Sequence, residues 1–117
     1  KYINVKAASL RVFLDLAVTN YIQSENIEEE IKQQYRCDLR EIVLAKRLKY
    51  IQMNKLTKQT QSIVTKLLDD NSFYSLAILN GYIHGQNSCY LRQDFINGFW
   101  DFLFPLFREI LDIKESE

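Results

Sequence analysis

Apolar residues near the start of the chain recur at intervals of three and four positions, which is the spacing of one face of an α-helix. The residues on this face are Leu10, Phe13, Leu14, Ala17 and Tyr21. The pattern predicts a first helix from about Val5 to Ser24.

Helix-start signals follow this first helix. Asn26 stands three residues before Glu29, as in a capping box, and acidic residues crowd the first turn, where the helix dipole favours negative charge. These signals predict a second helix from Ile27 to about Arg36.

The same signature is repeated by Asp38 and Glu41, just before the segment LREIVLAKRLKYIQM. The repetition predicts a tight corner near Cys37 and a third helix that runs to about Met53. One continuous helix over residues 27–53 is the alternative.

The second half of the chain predicts three more helices. Thr57 is a candidate cap for the segment TKQTQSIVTKLLDD. The next helix is expected over residues 73–84, where Gly85 suits a left-handed cap. A final helix is expected over residues 95–113, with a kink at Pro105.

Only three glycines and one proline occur among 117 residues, too few for the many turns of a β-sandwich or β-barrel. The predicted fold is all-α, an antiparallel bundle of five to six helices in a single domain, residues 1–117. No Met precedes Lys1, so we expect the domain to belong to a longer protein. The expected aromatic core comes from Phe95, Phe99, Trp100, Phe102 and Phe104.

The composition is that of a soluble globular domain without a global charge. Hydrophobic residues make up 47% of the chain, and 15 basic residues balance 15 acidic ones. No apolar run reaches the roughly 18 residues of a membrane span, and Cys37 and Cys89 have no metal-ligand spacing. We therefore expect a cytoplasmic protein that uses no membrane anchor, no metal and no cofactor.

Basic residues are concentrated in the middle of the chain, where residues 42–68 contain no acidic side chain. Scattered lysines usually form a solvated helix surface. The alternative is a strip that follows a phosphate backbone, which basic residues on two neighbouring helices could form. The candidate nucleic-acid-binding residues are then Lys46, Arg47, Lys49, Lys55 and Lys58.

The stretch LAILNGYIHG places two polar side chains in an apolar helix. Asn80 lies within the stripe that Leu76, Leu79 and Ile83 form, and His84 follows Asn80 by about one turn. A polar side chain that faces a core costs on the order of 1 to 3 kcal/mol unless it is hydrogen-bonded. The pair either bonds internally and fixes the packing of the bundle, or belongs to a functional site.

Arg11 on the first helix raises the same question. It follows Leu10 directly, so its guanidinium leaves from beside the apolar face, and Asp15 lies at i+4. An intrahelical ion pair is the simpler interpretation. The functional hypothesis is that Arg11 also reaches Asn80 and His84 and supplies a cation beside them.

Three stretches, AASLRVFLDLAVTNYI, SLAILNGYIHG and FWDFLFPLFREIL, together resemble prokaryotic domains of the HEPN-like superfamily of helical bundles. Active members carry an Arg, a polar residue such as Asn and then a His on one helix. They usually dimerise and cut RNA without a metal. Asn80 and His84 match the polar residue and the His, whereas Leu79 stands where the Arg would be.

The resemblance implies a non-catalytic or degenerate HEPN-like module, which serves dimerisation or nucleic-acid substrate placement in a larger prokaryotic defence or nucleic-acid-processing protein. Leu79 favours this reading, because leucine cannot stabilise charge on a phosphate. Its expected partners are a second copy, RNA and the remainder of the parent chain.

Two other functions remain open. One is an active metal-independent endoribonuclease, in which His84 moves the proton and Arg11 stabilises the charge. The other is a helical protein–protein interaction adaptor, which would expose Phe99 and Trp100 as a contact surface.

Overall fold

The computed structural model describes residues 2–54, 56–83 and 93–111. Within these ranges the chain forms helices and no strand, which confirms the predicted all-α class. The helices are α1 (Tyr2–Ser24), α2 (Glu28–Tyr35), α3 (Leu44–Asn54), α4 (Lys58–Leu68), α5 (Leu76–Ile83) and α6 (Gln93–Ile110), with a 3-10 turn at Leu39–Glu41.

Helix α1 packs against α3, α5 and α6. Helix α4 packs against the same three helices. The buried face of α1 follows the predicted spacing and comprises Ala7, Leu10, Leu14, Ala17, Val18, Tyr21 and Ile22. Phe13 lies at the edge of this face and stays 39% exposed, although the periodicity included it. The apolar spacing therefore predicts the helix correctly, but it does not predict which residue at the edge of the apolar face is exposed.

Two residues with a left-handed backbone set the ends of α2. Arg36 has a φ of 57° and closes the helix, since a left-handed residue cannot continue a right-handed helix. A continuous helix over residues 27–53 is thereby excluded. Asn26 has a φ of 60°, so the N-cap position falls to Ile27, which makes no side-chain cap bond. The predicted capping box is wrong.

Helix α3 begins at Leu44 and not near Asp38, which makes no side-chain cap bond and leads into the 3-10 turn. Leu39, Ile42 and Leu44 are all buried. On one α-helix Leu44 would lie on the side opposite to Leu39 and Ile42. The 3-10 turn and the break after it allow all three side chains to reach the core.

Helix α5 begins at Leu76, later than the predicted Phe73. The hydroxyl oxygen of Ser75 accepts a hydrogen bond from the backbone N–H of Ile78 at 3.1 Å, the geometry of an N-cap. Phe73 lies in the turn before the helix and is exposed. The predicted end of this helix, His84 with the cap at Gly85, lies outside the described residues.

The aromatic residues of α6 differ in burial. Phe99 is fully buried, and Phe95, Trp100 and Phe102 pack partly buried against the core. Phe104 is exposed, contrary to the prediction, because it lies beside the buried row Leu103, Leu106, Phe107 and Ile110 and not within it.

The N-terminus of α4 is capped by a carboxylate from α6. Glu109 Oε2 accepts a hydrogen bond from the backbone N–H of Thr57 at 3.0 Å, and Oε1 accepts from the hydroxyls of Thr57 and Thr60 at 2.8 and 2.9 Å. Thr57 occupies the predicted N-cap position, but its hydroxyl makes no cap bond of its own. A negative charge at this end of α4 also interacts favourably with the helix dipole.

We expect Glu109→Gln to lower the free energy of unfolding by about 1 kcal/mol, because the change keeps the side-chain volume but removes the charge and one acceptor oxygen. Urea denaturation measures this loss. Asp101→Asn on the exposed side of α6 is the matched control and should change stability by less than about 0.5 kcal/mol. Equal losses in the two variants would contradict an interhelical cap.

Candidate functional site

Arg11 on α1 reaches Asn80 on α5. The Nε atom of Arg11 donates a hydrogen bond to Asn80 Oδ1 at 3.3 Å. The structure thus brings together two of the three residues that the sequence hypothesis combined. His84, the third, lies outside the described residues, so its place beside Arg11 stays a prediction. Leu79 is fully buried in the core.

Asp15 bridges two arginines from different helices. Its Oδ2 accepts a hydrogen bond from Arg11 Nη1 at 3.1 Å, which is the predicted i+4 pair. Its Oδ1 accepts from Arg47 Nη1 at 2.7 Å. The carboxylate therefore connects α1 to α3 and, through Arg11 and Asn80, to α5.

Arg47 is held inside the domain and is only 6% exposed. Besides Asp15, its Nη1 donates to the hydroxyl of Thr19 at 2.7 Å, and its Nε donates to the carbonyl of Ile42 at 3.0 Å. Because Arg47 makes these bonds inside the domain, it is not an accessible member of the predicted basic strip. Its burial is indicated by its spacing on α3, three residues after Leu44 and four before Ile51, both of which are buried.

Three of the predicted phosphate-contacting lysines, Lys46, Lys49 and Lys58, are exposed on α3 and α4. The Lys46 ammonium also lies 5.5 Å from the centre of the Tyr35 ring, within cation–π range. Lys55 lies outside the described residues. The nucleic-acid strip stays a prediction, with these lysines as its accessible members.

The arginines hold Asp15 in its charged form. Partial burial acts to raise the pKa of this carboxyl, but the hydrogen bonds from Arg47 and Arg11 and their positive charge outweigh it. The pKa of Asp15 consequently lies below its ordinary value. At neutral pH the three side chains of this network carry two positive charges and one negative charge.

Two surface features adjoin this network. An open cleft of about 610 Å³ lies beside Asp15, Thr19 and Arg47, between α1, α2, the 3-10 turn and α3. On the side of α1 away from the core, Val5, Val12 and Leu16 are 63%, 55% and 64% exposed. Neither feature could be recognised from a sequence motif. The cleft depends on the corner at Arg36, and in the sequence the exposed apolar residues are indistinguishable from core residues.

No protein-family model, curated protein or solved structure matches the chain. Within the described ranges, every helix is too short or too polar to serve as a membrane span. The same residues contain no cluster of three or more His, Cys, Asp or Glu side chains that could hold a metal ion.

We expect Asp15→Asn to lower the free energy of unfolding by about 2 kcal/mol at neutral pH, because Arg47 stays buried without its counter-charge. Urea denaturation tests this value. The matched control is Asp70→Asn in the exposed turn after α4, where the same change should have little effect.

The difference between wild type and Asp15→Asn should also depend on pH. A carboxyl whose pKa is lower in the folded chain than in the unfolded chain stabilises the fold above its unfolded pKa of about 3.9. This contribution is lost as the pH falls through the folded pKa. The two stability curves should converge in acid, and a constant difference down to strong acid would contradict the bridging role.

Proposed function

We propose that this domain is a self-associating helical module that pairs with a second copy through the exposed apolar face of α1. The observation that carries the proposal is that α1 is apolar on two sides, of which the bundle covers one. The outer side of a surface helix is normally polar. An apolar row on it marks a contact surface.

The spacing of this row favours a second copy as the occupant. Val5, Ser9, Val12 and Leu16 follow one another at intervals of four, three and four residues, as the seam positions of a coiled coil do. These intervals are the same in both directions, so the row is complementary to itself about a two-fold axis. An antiparallel pair of α1 helices would set Val5 opposite Leu16 and Ser9 opposite Val12.

The row contains no charged residue, so pairing leaves no ion without a partner at the centre of the contact. Four seam residues are, however, fewer than the 20 to 30 residues per side of a standard interface. We therefore expect weak association, in the micromolar range, unless other parts of a parent chain add contacts. This strength suits a module that brings two copies of a larger protein together.

The resemblance to HEPN-like domains supports the same proposal, since those domains usually dimerise. Assignment to that superfamily, together with a role in prokaryotic defence or nucleic-acid processing, is part of the proposal. The adaptor alternative has less support, because Phe99 is buried and Trp100 only partly exposed.

Leu16→Lys should abolish self-association, because pairing would place two ammonium groups in an apolar seam. Sedimentation velocity over a range of protein concentrations measures the effect. Met53→Lys is the matched control, since Met53 is an equally exposed apolar residue on α3. A monomeric wild type, or equal behaviour of the two variants, would overturn the proposal.

A second candidate function is a metal-independent endoribonuclease, which the Arg11–Asn80 hydrogen bond favours. Cleavage by an RNA 2′-hydroxyl needs a group that moves a proton near neutral pH and a fixed cation for the charge on the phosphate oxygens. His84 is the candidate for the first role and Arg11 for the second. Asn80 would orient Arg11 through the 3.3 Å bond.

The nuclease candidate predicts RNA cleavage that persists in chelator and is lost in both His84→Gln and Arg11→Gln. Gel analysis of a fluorescently labelled single-stranded RNA measures cleavage, and circular dichroism verifies that each variant is folded. Lys6→Gln on the exposed side of α1 is the matched control and should cleave like wild type. Absence of cleavage by the wild-type chain would rule out this candidate and leave the self-association proposal unaffected.

A further inference from the structure

The exposed apolar face of α1 continues onto α6 through a group of three aromatic rings. Phe13, at the edge of that face, lies with its ring centre 5.4 Å from that of Trp100 and 4.8 Å from that of Phe107. The ring centres of Trp100 and Phe107 are 5.7 Å apart. Phe107 is buried, whereas Phe13 is 39% exposed and Trp100 is partly exposed. The outer surface therefore stays apolar where the two helices meet.

Phe104 extends this surface along α6. It lies four residues after Trp100, about one turn along the same side of the helix, and it is 52% exposed. The guanidinium carbon of Arg108 lies 6.0 Å from the centre of the Phe104 ring, within cation–π range. This contact orders the ring before binding, and an ordered side chain loses less conformational entropy when a partner covers it.

The exposed apolar side chains of the domain are clustered. Among the described residues, eight large apolar side chains are exposed, and five of them belong to this one surface. The five are Val5, Val12, Phe13, Leu16 and Phe104. The four on α1 line a common shallow groove, and α1 packs directly against α6. Single exposed apolar residues are normal on a soluble protein, but a contiguous group on two neighbouring helices marks a contact surface.

We propose that the second copy packs on α1 and α6 together, and that it covers Phe13, Trp100 and Phe104 in addition to the apolar row of α1. This inference rests on the proposed self-association and names further contacts within it. The two-fold axis of an antiparallel α1 pair sets the same flank of both helices on one side of the pair. The two α6 helices consequently lie on that common side, and the contact contains four helices.

The added aromatic residues contribute more to this contact than their number suggests. A Phe or Trp side chain buries about 150 to 250 Å² when it is covered, and Trp is enriched among the residues that dominate binding energy. None of the three is charged, so covering them buries no additional ion. With the four seam residues they make seven per side, still fewer than the roughly 20 to 30 of a standard interface. The expected affinity therefore stays in the micromolar range.

Tryptophan fluorescence of the full chain tests the proposal without any substitution. Trp100 is the only tryptophan of the chain, so the signal reports on this surface alone. Emission should shift to shorter wavelength as the protein concentration rises, because the second copy removes water from the indole. The shift should occur over the concentration range in which sedimentation velocity detects association. In Leu16→Lys the emission should not depend on concentration.

Phe104→Lys should weaken association at least about tenfold, because pairing would bring an ammonium group into an apolar contact. Phe73→Lys is the matched control. Phe73 is 67% exposed, but its ring packs on Phe95, which lies on the side of α6 opposite to Phe104. The control should associate like wild type, and circular dichroism verifies that both variants are folded.

The outcomes separate this inference from the proposed function. A monomeric wild type would overturn both. If the wild type associates and Leu16→Lys does not, self-association through α1 stands. In that case, Trp100 emission that does not depend on concentration, or equal association of Phe104→Lys and Phe73→Lys, would exclude α6 from the contact and overturn this inference alone.

Discussion

The carboxylate of Asp15 is the contact on which the polar architecture of this domain depends. Its two oxygens bind arginines from α1 and α3 at 3.1 and 2.7 Å, and Arg11 continues the chain of contacts to Asn80 on α5. Three helices that meet mainly through apolar side chains are thereby aligned by directional bonds. Without the negative charge, the buried guanidinium of Arg47 and the half-buried guanidinium of Arg11 would repel each other.

The sequence predicted the helices better than the corners between them. Periodicity located α1 and α4, because a single apolar face determines where each packs. The corners depend on tertiary packing. Arg36 adopts a left-handed backbone conformation and ends α2. The simultaneous burial of Leu39, Ile42 and Leu44 excludes a helix that begins at Asp38. Local capping rules could not anticipate either.

Two contacts of the candidate site were predictable from the positions of polar residues on the helices. The Arg11–Asp15 pair follows from i+4 spacing, and the polar positions of Arg11 and Asn80 on apolar faces indicated their contact. Arg47 was harder to interpret, since neighbouring lysines make it look like part of a solvated strip. Its position in the buried row of α3 indicates that it is buried, so helical periodicity was more informative there than the charge of the neighbouring residues.

The energetics of buried ion networks indicate why such an arrangement would be retained. Replacing a buried ion pair with apolar side chains of similar volume is often neutral or stabilising, because desolvation offsets much of the attraction. The value of the Asp15 network is then positional. It holds Arg11 against Asn80 on one side and fixes Arg47 on the wall of the cleft on the other. A core of leucines could supply comparable stability, but it could not hold one arginine of α1 against Asn80 and one arginine of α3 on the wall of the cleft.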